Sequence, residues 1–200
     1  ACVLHYVEND CRMQDGDLLL IDAGCELDGY ASDITRSFPV NGRFSGPQKA
    51  AYELVLAAQA AAIAEIHPGA DWNAGHDAAT RVLAQGFIDL GLLTGSLDGV
   101  LESGSYRQFY MHRTGHWLGL DVHDAGEYKI AGNWRPLVAG NMLTVEPGCY
   151  IRPADGVPEA FWNIGIRIED DALVTDSGCD IITIATPKSV ADIEAVMAER

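Results

Sequence analysis

The spacing of apolar positions changes twice along the chain. Leu18 to Ile21 is an unbroken apolar run between Asp15-Gly16 and Gly24, the pattern of a strand buried on both faces. Gly29-Tyr30 then turns the chain, and Ala31 to Phe38 reads as a returning strand. The opening Ala1-Cys2-Val3-Leu4 and the stretch from His5 to Asn9 also read as extended, so residues 1–40 are predicted to be strands. A helical period follows. Ser45 and Gln48 match a capping box with Pro47 in the first turn. Ala51, Leu54, Val55, Ala58, Ala62 and Ile66 recur on one face, and Pro68-Gly69 stops the helix. A second helix is predicted from about Trp72 to Leu90, with Asp71 as its cap and Gly91 as its stop. Its apolar stripe is Ala78, Val82, Leu83, Phe87 and Leu90. Residues 94–108 read as a Gly- and Ser-rich loop, strands and loops dominate from 109, and 188–200 reads as a short helix.

One internal echo stands out. Gly16-Asp17-Leu18-Leu19-Leu20-Ile21-Asp22-Ala23-Gly24-Cys25 aligns without gaps to Gly140-Asn141-Met142-Leu143-Thr144-Val145-Glu146-Pro147-Gly148-Cys149. Each stretch is a strand that ends in a carboxylate, and a second acid follows each one, Asp33 and Glu169. Two unrelated strands closed by similar turns would look the same over so short a match. The alternative is two similar halves that aim four carboxylates at one centre.

Composition narrows the classes. The 200 residues are 48% hydrophobic, enough for one sizeable core, and a single domain over 1–200 is expected. A charged fraction of 21% does not match a disordered chain. A net charge of −16 with no basic patch argues against nucleic acid and anionic membranes as partners. No apolar run reaches the roughly 20 residues that span a bilayer, and no signal peptide is visible. The chain opens without Met inside what reads as an element, the look of a processed or truncated chain. Five cysteines, none in a C-x-x-C pair, point to buried free thiols in a reducing cytoplasm rather than a disulfide framework.

Asp22, Glu146 and Glu169 each end an apolar strand. A carboxylate leaving water there costs several kcal/mol unless paired, and convergence of like charges makes it worse by raising each pKa. Any one of these acids alone reads best as a strand-end cap. Three of six histidines, His112, His116 and His123, fall within twelve residues, which core packing alone seldom produces. His5 alone would read as structural, and His67 and His76 receive no role. Oxygen-rich ligands with one imidazole suit first-row divalent ions, and two such ions bridged by carboxylates form a hydrolytic clamp.

At these residues a resemblance appears. The segments LHYVEN, IDAGCELDGYASDITRSFPVNGRF, MHRTGHWLGLDVHD, LTVEPGCYI and GIRIEDD occur in order along nearly the whole chain. Together they resemble the aminopeptidase P branch of the pita-bread metallopeptidases, whose other members include prolidase, methionine aminopeptidase and creatinase. The resemblance implies an α+β pita-bread fold of two pseudo-symmetric halves. It implies two divalent ions, manganese first and cobalt, zinc or iron as alternatives. Asp22 matches a terminal ligand, Asp33 and Glu169 the bridging carboxylates, and His116 and Glu146 the ligands sharing one metal. His5, His112 and His123 match histidines that line the pocket, position substrate or stabilise the transition state. Arg167 and Tyr150 match groups that orient the ligands.

The implied reaction is hydrolysis of the bond before a proline at the second position of a peptide, with Glu146 as base and His123 at the oxyanion. A dipeptide-specific prolidase and a fold that no longer catalyses are the alternatives, and a homo-oligomer is allowed. The chain departs from the family in two ways. The separate N-terminal domain and opening helices of the family are expected to be absent. The chain also carries Arg113-Thr114-Gly115 between two histidines where close relatives often carry Gly-Leu-Ser.

Overall fold

Two antiparallel strand pairs, one from each half of the chain, meet along a buried seam. The computed structural model describes residues 1–199. β1 (Leu18–Ala23) pairs with β4 (Ile34–Pro39), placing Asp22 opposite Thr35. Between them lies the small hairpin of β2 (Glu26–Leu27) and β3 (Tyr30–Ala31). The helices α1 (Gly46–Ala64), α2 (Ala74–Asp89) and α3 (Leu97–Ser103) follow. The second half opens with the hairpin of β5 (Lys129–Ile130) and β6 (Asn133–Trp134). It continues through β7 (Met142–Val145), β8 (Gly148–Ile151), β9 (Ile164–Arg167), β10 (Asp170–Val174) and β11 (Cys179–Ile181) to α4 (Val190–Ala198). β10 lies between β7 and β11, and β8 pairs with β9, all antiparallel. β7 pairs with β10 as β1 pairs with β4, so the sequence echo falls on a repeated strand arrangement.

α1 starts where its capping box says it should. The Ser45 hydroxyl accepts the Gln48 N–H while the Gln48 side chain accepts the Ser45 N–H. Its face of Ala51, Tyr52, Val55, Ala58 and Ala62 is fully buried against the strands and α2. α2 comes close because it presents glycines: a Cβ on Gly86 would lie 2.2 Å from Leu54 Cδ1, and one on Gly75 3.2 Å from the Ala62 carbonyl. α2 ends in a Schellman motif at Gly91 (φ +71°), with Leu92 N–H on the Phe87 carbonyl and Gly91 N–H on that of Ile88.

The seam between the halves is made of polar groups. Ser37 Oγ donates to the Arg167 carbonyl at 3.2 Å and accepts its N–H at 3.1 Å, and Glu169 N–H reaches the Thr35 carbonyl. The Arg36 guanidinium donates to the Thr35 and Glu169 carbonyls and pairs with Asp170 at 2.8 Å. Asp170, fully buried, also takes Lys188 Nζ at 2.6 Å, the Thr183 hydroxyl and the Gln59 amide. Every Asp170 oxygen is thus occupied, as a buried charge requires.

Several expectations change. Residues 1–17 form no strand; Ala1 and Cys2 instead lie against Gly165 and the β8–β9 edge, where side-chain contacts replace a ladder. Leu18 to Leu20 are half-buried and Ile21 is exposed, because β1 has a strand partner on one edge and little covering it. α2 is preceded by Asn73 rather than capped by Asp71, which forms a bridge to Pro136. The expected loop at 94–108 contains α3, capped by the Ser96 hydroxyl, and a 3₁₀ turn at Ser105–Gln108. Only Cys149 among the five free cysteines is buried; Cys11 and Cys25 are exposed. The closing helix is present as α4, capped by Ser189. No helix among the described residues is long and apolar enough to cross a membrane.

Candidate metal centre

His116 reaches the centre on a segment that runs antiparallel to β7. Thr144 N–H donates to the His116 carbonyl at 3.0 Å, His116 N–H to Thr144 Oγ1 at 3.1 Å, and Glu146 N–H to the Thr114 carbonyl at 2.8 Å. Gly115 allows this approach: a Cβ there would sit 2.0 Å from the Thr144 carbonyl oxygen. Glu169 and Asp33 lie at corresponding points, each just before the second strand of its pair. Asp33 N–H is held by Asp171 Oδ2 at 3.1 Å.

Ligand atoms of Asp33, His116 and Glu169 all fall within 4.8 Å of one another. His116 Nε2 lies 3.4 Å from Asp33 Oδ2 and 3.7 Å from Glu146 Oε1. The ring's Nδ1 donates to the Trp117 carbonyl at 2.9 Å, which turns the Nε2 lone pair toward the carboxylates, the tautomer a metal ligand needs. Asp22 stands at the edge of the group, more exposed, its Oδ2 held by Arg167 Nη2 at 2.6 Å. Arg167 Nε approaches Glu146 Oε2 at 4.0 Å. The group opens into a cleft of about 760 Å³, lined also by His5, His112 and His123.

The crowding shows in the protonation equilibria. Burial, with Asp33 and Asp22 adding repulsion, pushes Glu146 up to about 7 despite His116 and Arg167. Burial and the neighbouring Glu146 and Asp33 carboxylates push Glu169 well above the usual range. Burial and Asp33 raise Asp22 against the pull of Arg167. Burial would raise Asp33 as well, but hydrogen bonding with His116 and Asp22 outweighs it and holds Asp33 below its ordinary value. Burial opposes charge on His116, yet Asp33, the Trp117 carbonyl and Glu146 outweigh it and raise its pKa.

Two buried carboxylate oxygens, Glu169 Oε1 and Asp171 Oδ1, have no hydrogen-bond partner among the described residues. Glu169 Oε2 is satisfied by the Thr35 hydroxyl at 2.5 Å, so the orphan oxygen is the one left for another ligand. A buried acceptor without a donor is costly, and a divalent cation supplies the missing charge. The donor set fits such an ion.

Behind the acids runs a directed chain of hydrogen bonds. His112 Nδ1–H donates to the Arg113 carbonyl at 2.7 Å, so its Nε2 accepts the Tyr150 hydroxyl at 2.8 Å. The Tyr150 oxygen in turn accepts Arg167 Nη1 at 3.2 Å. Burial lowers the His112 pKa to about 4, which keeps this neutral tautomer in place at neutral pH. Both His112 nitrogens are committed, so the ring orients Tyr150 and Arg167 instead of presenting a free nitrogen. His123 is exposed and packs edge-on to His116 with ring centres 4.2 Å apart. His5 is exposed on the cleft rim.

Sequence reasoning missed Thr35, Asp171 and His76. Thr35 and Asp171 orient Glu169 and Asp33 through single hydrogen bonds, and Asp171 is itself raised to about 6 by burial. Nothing local in the sequence marked either residue, and nothing marked His76. It hydrogen-bonds Thr114 Oγ1 at 2.8 Å from α2, and Tyr110 meets the same hydroxyl at 2.5 Å. His67 is exposed, and its ring bonds the Pro68 carbonyl.

Comparison with known proteins identifies the family. The family model described as metallopeptidase family M24 matches residues 1–176. The Xaa-Pro aminopeptidase of Haemophilus influenzae is 54% identical over 98% of this chain, which covers 46% of that protein. A solved structure of Pseudomonas aeruginosa aminopeptidase PepP superposes with a TM-score of 0.97 at 57% identity, over 98% of this chain and 45% of that one. Proline aminopeptidase P II from Yersinia pestis gives 0.95 at 46% identity, over 100% of this chain and 46% of that one. These are pita-bread proteins of the aminopeptidase P type, and this chain has their fold while spanning a little under half their length. The chain belongs to metallopeptidase family M24.

Proposed function

We propose that this chain carries the catalytic centre of an Xaa-Pro aminopeptidase, with Asp22, Asp33, His116, Glu146 and Glu169 holding two divalent ions. The observation that carries the reading is the buried, partnerless Glu169 Oε1 beside Asp33 and His116 in an open cleft. The names of the relatives supply the substrate class: peptides with proline at the second position. Manganese is the first candidate, and cobalt, zinc and iron also suit such ligands. When bound, the ions supply Lewis acidity that makes water a nucleophile at neutral pH.

The residues around them do the rest. Glu146, whose Oε1 lies 3.7 Å from His116 Nε2 in the centre, is the carboxylate placed to take a proton from the attacking water and pass it to the departing proline nitrogen. That transfer is needed because the nitrogen leaves as a neutral amine and not as an amide anion. His123, exposed beside His116, hydrogen-bonds the carbonyl oxygen as it gains charge. Arg167, fixed by Tyr150 and His112, restrains Asp22 and faces Glu146. The free cysteines fit a cytoplasmic setting.

The test is release of the first residue from an Xaa-Pro-Xaa tripeptide with manganese added, against the same peptide with alanine for proline and against an Xaa-Pro dipeptide. No release from the tripeptide refutes the activity; cleavage of the dipeptide alone makes the chain a prolidase. Asp33→Ala and Glu169→Ala should each bind fewer than two ions, and full stoichiometry in either would refute the ligand assignment.

A further inference from the structure

One wall of the cleft is cationic, and it begins beside His112. Arg113 follows His112 and lies with its guanidinium carbon 5.0 Å from the centre of the Trp134 ring. Lys129 Nζ sits 4.2 Å from the centre of the same ring. Both cations line the same cleft as Asp33, His116 and Glu169. Neither has a carboxylate partner among the described residues, although the chain carries a net charge of −16.

This wall is held in place. Lys129 and Trp134 face each other in the β5–β6 register, across a turn whose central residues, Ala131 and Gly132, have φ of +50° and +85°. Trp72 N–H to the Arg135 carbonyl ties the hairpin to the start of α2. Tyr128 stacks on Trp117 and packs edge-on to Trp72. Asn73 accepts a hydrogen bond from Arg113 Nη2 and fixes one side of the guanidinium. The rest of that fork has no hydrogen-bond partner among the described residues and can meet a planar anion. An indole face lowers the desolvation cost of both cations while leaving their outward hydrogens available.

We infer that Arg113, Lys129 and Trp134 form a subsite for a carboxylate of the bound peptide on the leaving-group side. The inference rests on the aminopeptidase reading. If the substrate's first residue lies at the acids, every other carboxylate of the peptide belongs to the leaving group. In a short peptide that group is the chain-terminal carboxylate; in a longer one it is an Asp or Glu side chain. Two cations without a carboxylate partner among the described residues, lining the cleft that holds the acids, suit the carboxylate of a bound peptide.

The experiment measures kcat/KM of the metal-loaded protein on three substrates: an Xaa-Pro-Ala tripeptide with a free carboxylate, its C-terminal amide, and an Xaa-Pro-Glu amide. Calorimetric binding of the same peptides to the metal-free protein runs in parallel. The subsite predicts that the free acid is preferred over the amide by about 10- to 100-fold. The double variant R113Q/K129Q should bring the ratio close to one, and Arg113→Lys should restore part of it. The Glu amide behaves like the free acid if side chains serve, and like the plain amide if only the terminus does. A loss that affects acid and amide alike marks a structural role and overturns the subsite, as does a ratio near one in the unsubstituted protein. Absence of cleavage with acid-selective binding overturns the activity while leaving the subsite standing.

Discussion

Removing the metal should make stability fall as pH rises from 5 to 8. Without an ion, the folded chain holds a proton on Glu146 up to about 7, whereas the unfolded chain sheds it near 4.5. Its contribution is therefore fully present below the unfolded value and is lost as pH rises through the folded one. That displacement amounts to roughly 3 kcal/mol. For a domain of this size it corresponds to a fall in Tm of roughly 6–12 °C. Glu169 is displaced in the same direction and adds to the slope.

Bound divalent ions replace the protons, so the metal-loaded protein should lose most of this slope and its Tm advantage over the metal-free form should widen with pH. Binding at pH 6 should release close to one proton from Glu146 per protein, a fraction that follows from its raised pKa of about 7. Differential scanning calorimetry with and without chelator reads the first effect. Titration in two buffers of different ionisation heat reads the second. A metal-free Tm that stays flat from pH 5 to 8, or keeps its slope in Glu146→Gln, refutes the reasoning.

Three further outcomes follow from the geometry. His123→Ala should lower kcat by roughly 10²–10³ with both metals retained, and an unchanged kcat removes His123 from the reaction. Gly115→Ala drives a methyl group into the Thr144 carbonyl and should destabilise by roughly 1–3 kcal/mol while weakening metal binding; wild-type urea unfolding and metal affinity would contradict that packing. Ala131→Asn puts a residue that tolerates the left-handed region where φ is +50°, and should raise stability by roughly 1 kcal/mol. An unmoved urea midpoint would show that the turn is not strained.

Legibility followed the range of the interactions. The capping box of Ser45 and Gln48 and the stop at Gly91 act within a few residues, so both could be read directly. The strand at Leu18 could be read too, but its burial could not, since that depends on what covers β1. The helix at Leu97–Ser103 was hidden because its Gly and Ser content resembles a loop, while Val100 packs into a distant core. Asp22, Glu146 and Glu169 were legible as acids that end apolar strands, Asp33 as the acid following the first of them and His116 as one of three clustered histidines, and their order resembled a known family. Thr35, Asp171 and His76 carry no such mark, for their roles consist of contacts made across the seam or from another element.

By itself the sequence determined the elements that rest on local chemistry, the repeated strand-and-acid motif, and the donor types available to a metal. The tertiary structure alone decided which of those donors converge, which carboxylate oxygen is left without a partner, and which way each imidazole nitrogen points. It also gathered Arg113 and Lys129 over one indole ring, although composition shows no basic patch. The physical reason is that desolvation and Coulomb interactions depend on separation in space. Residues 33, 116 and 169 come within 4.8 Å only after the halves close on each other.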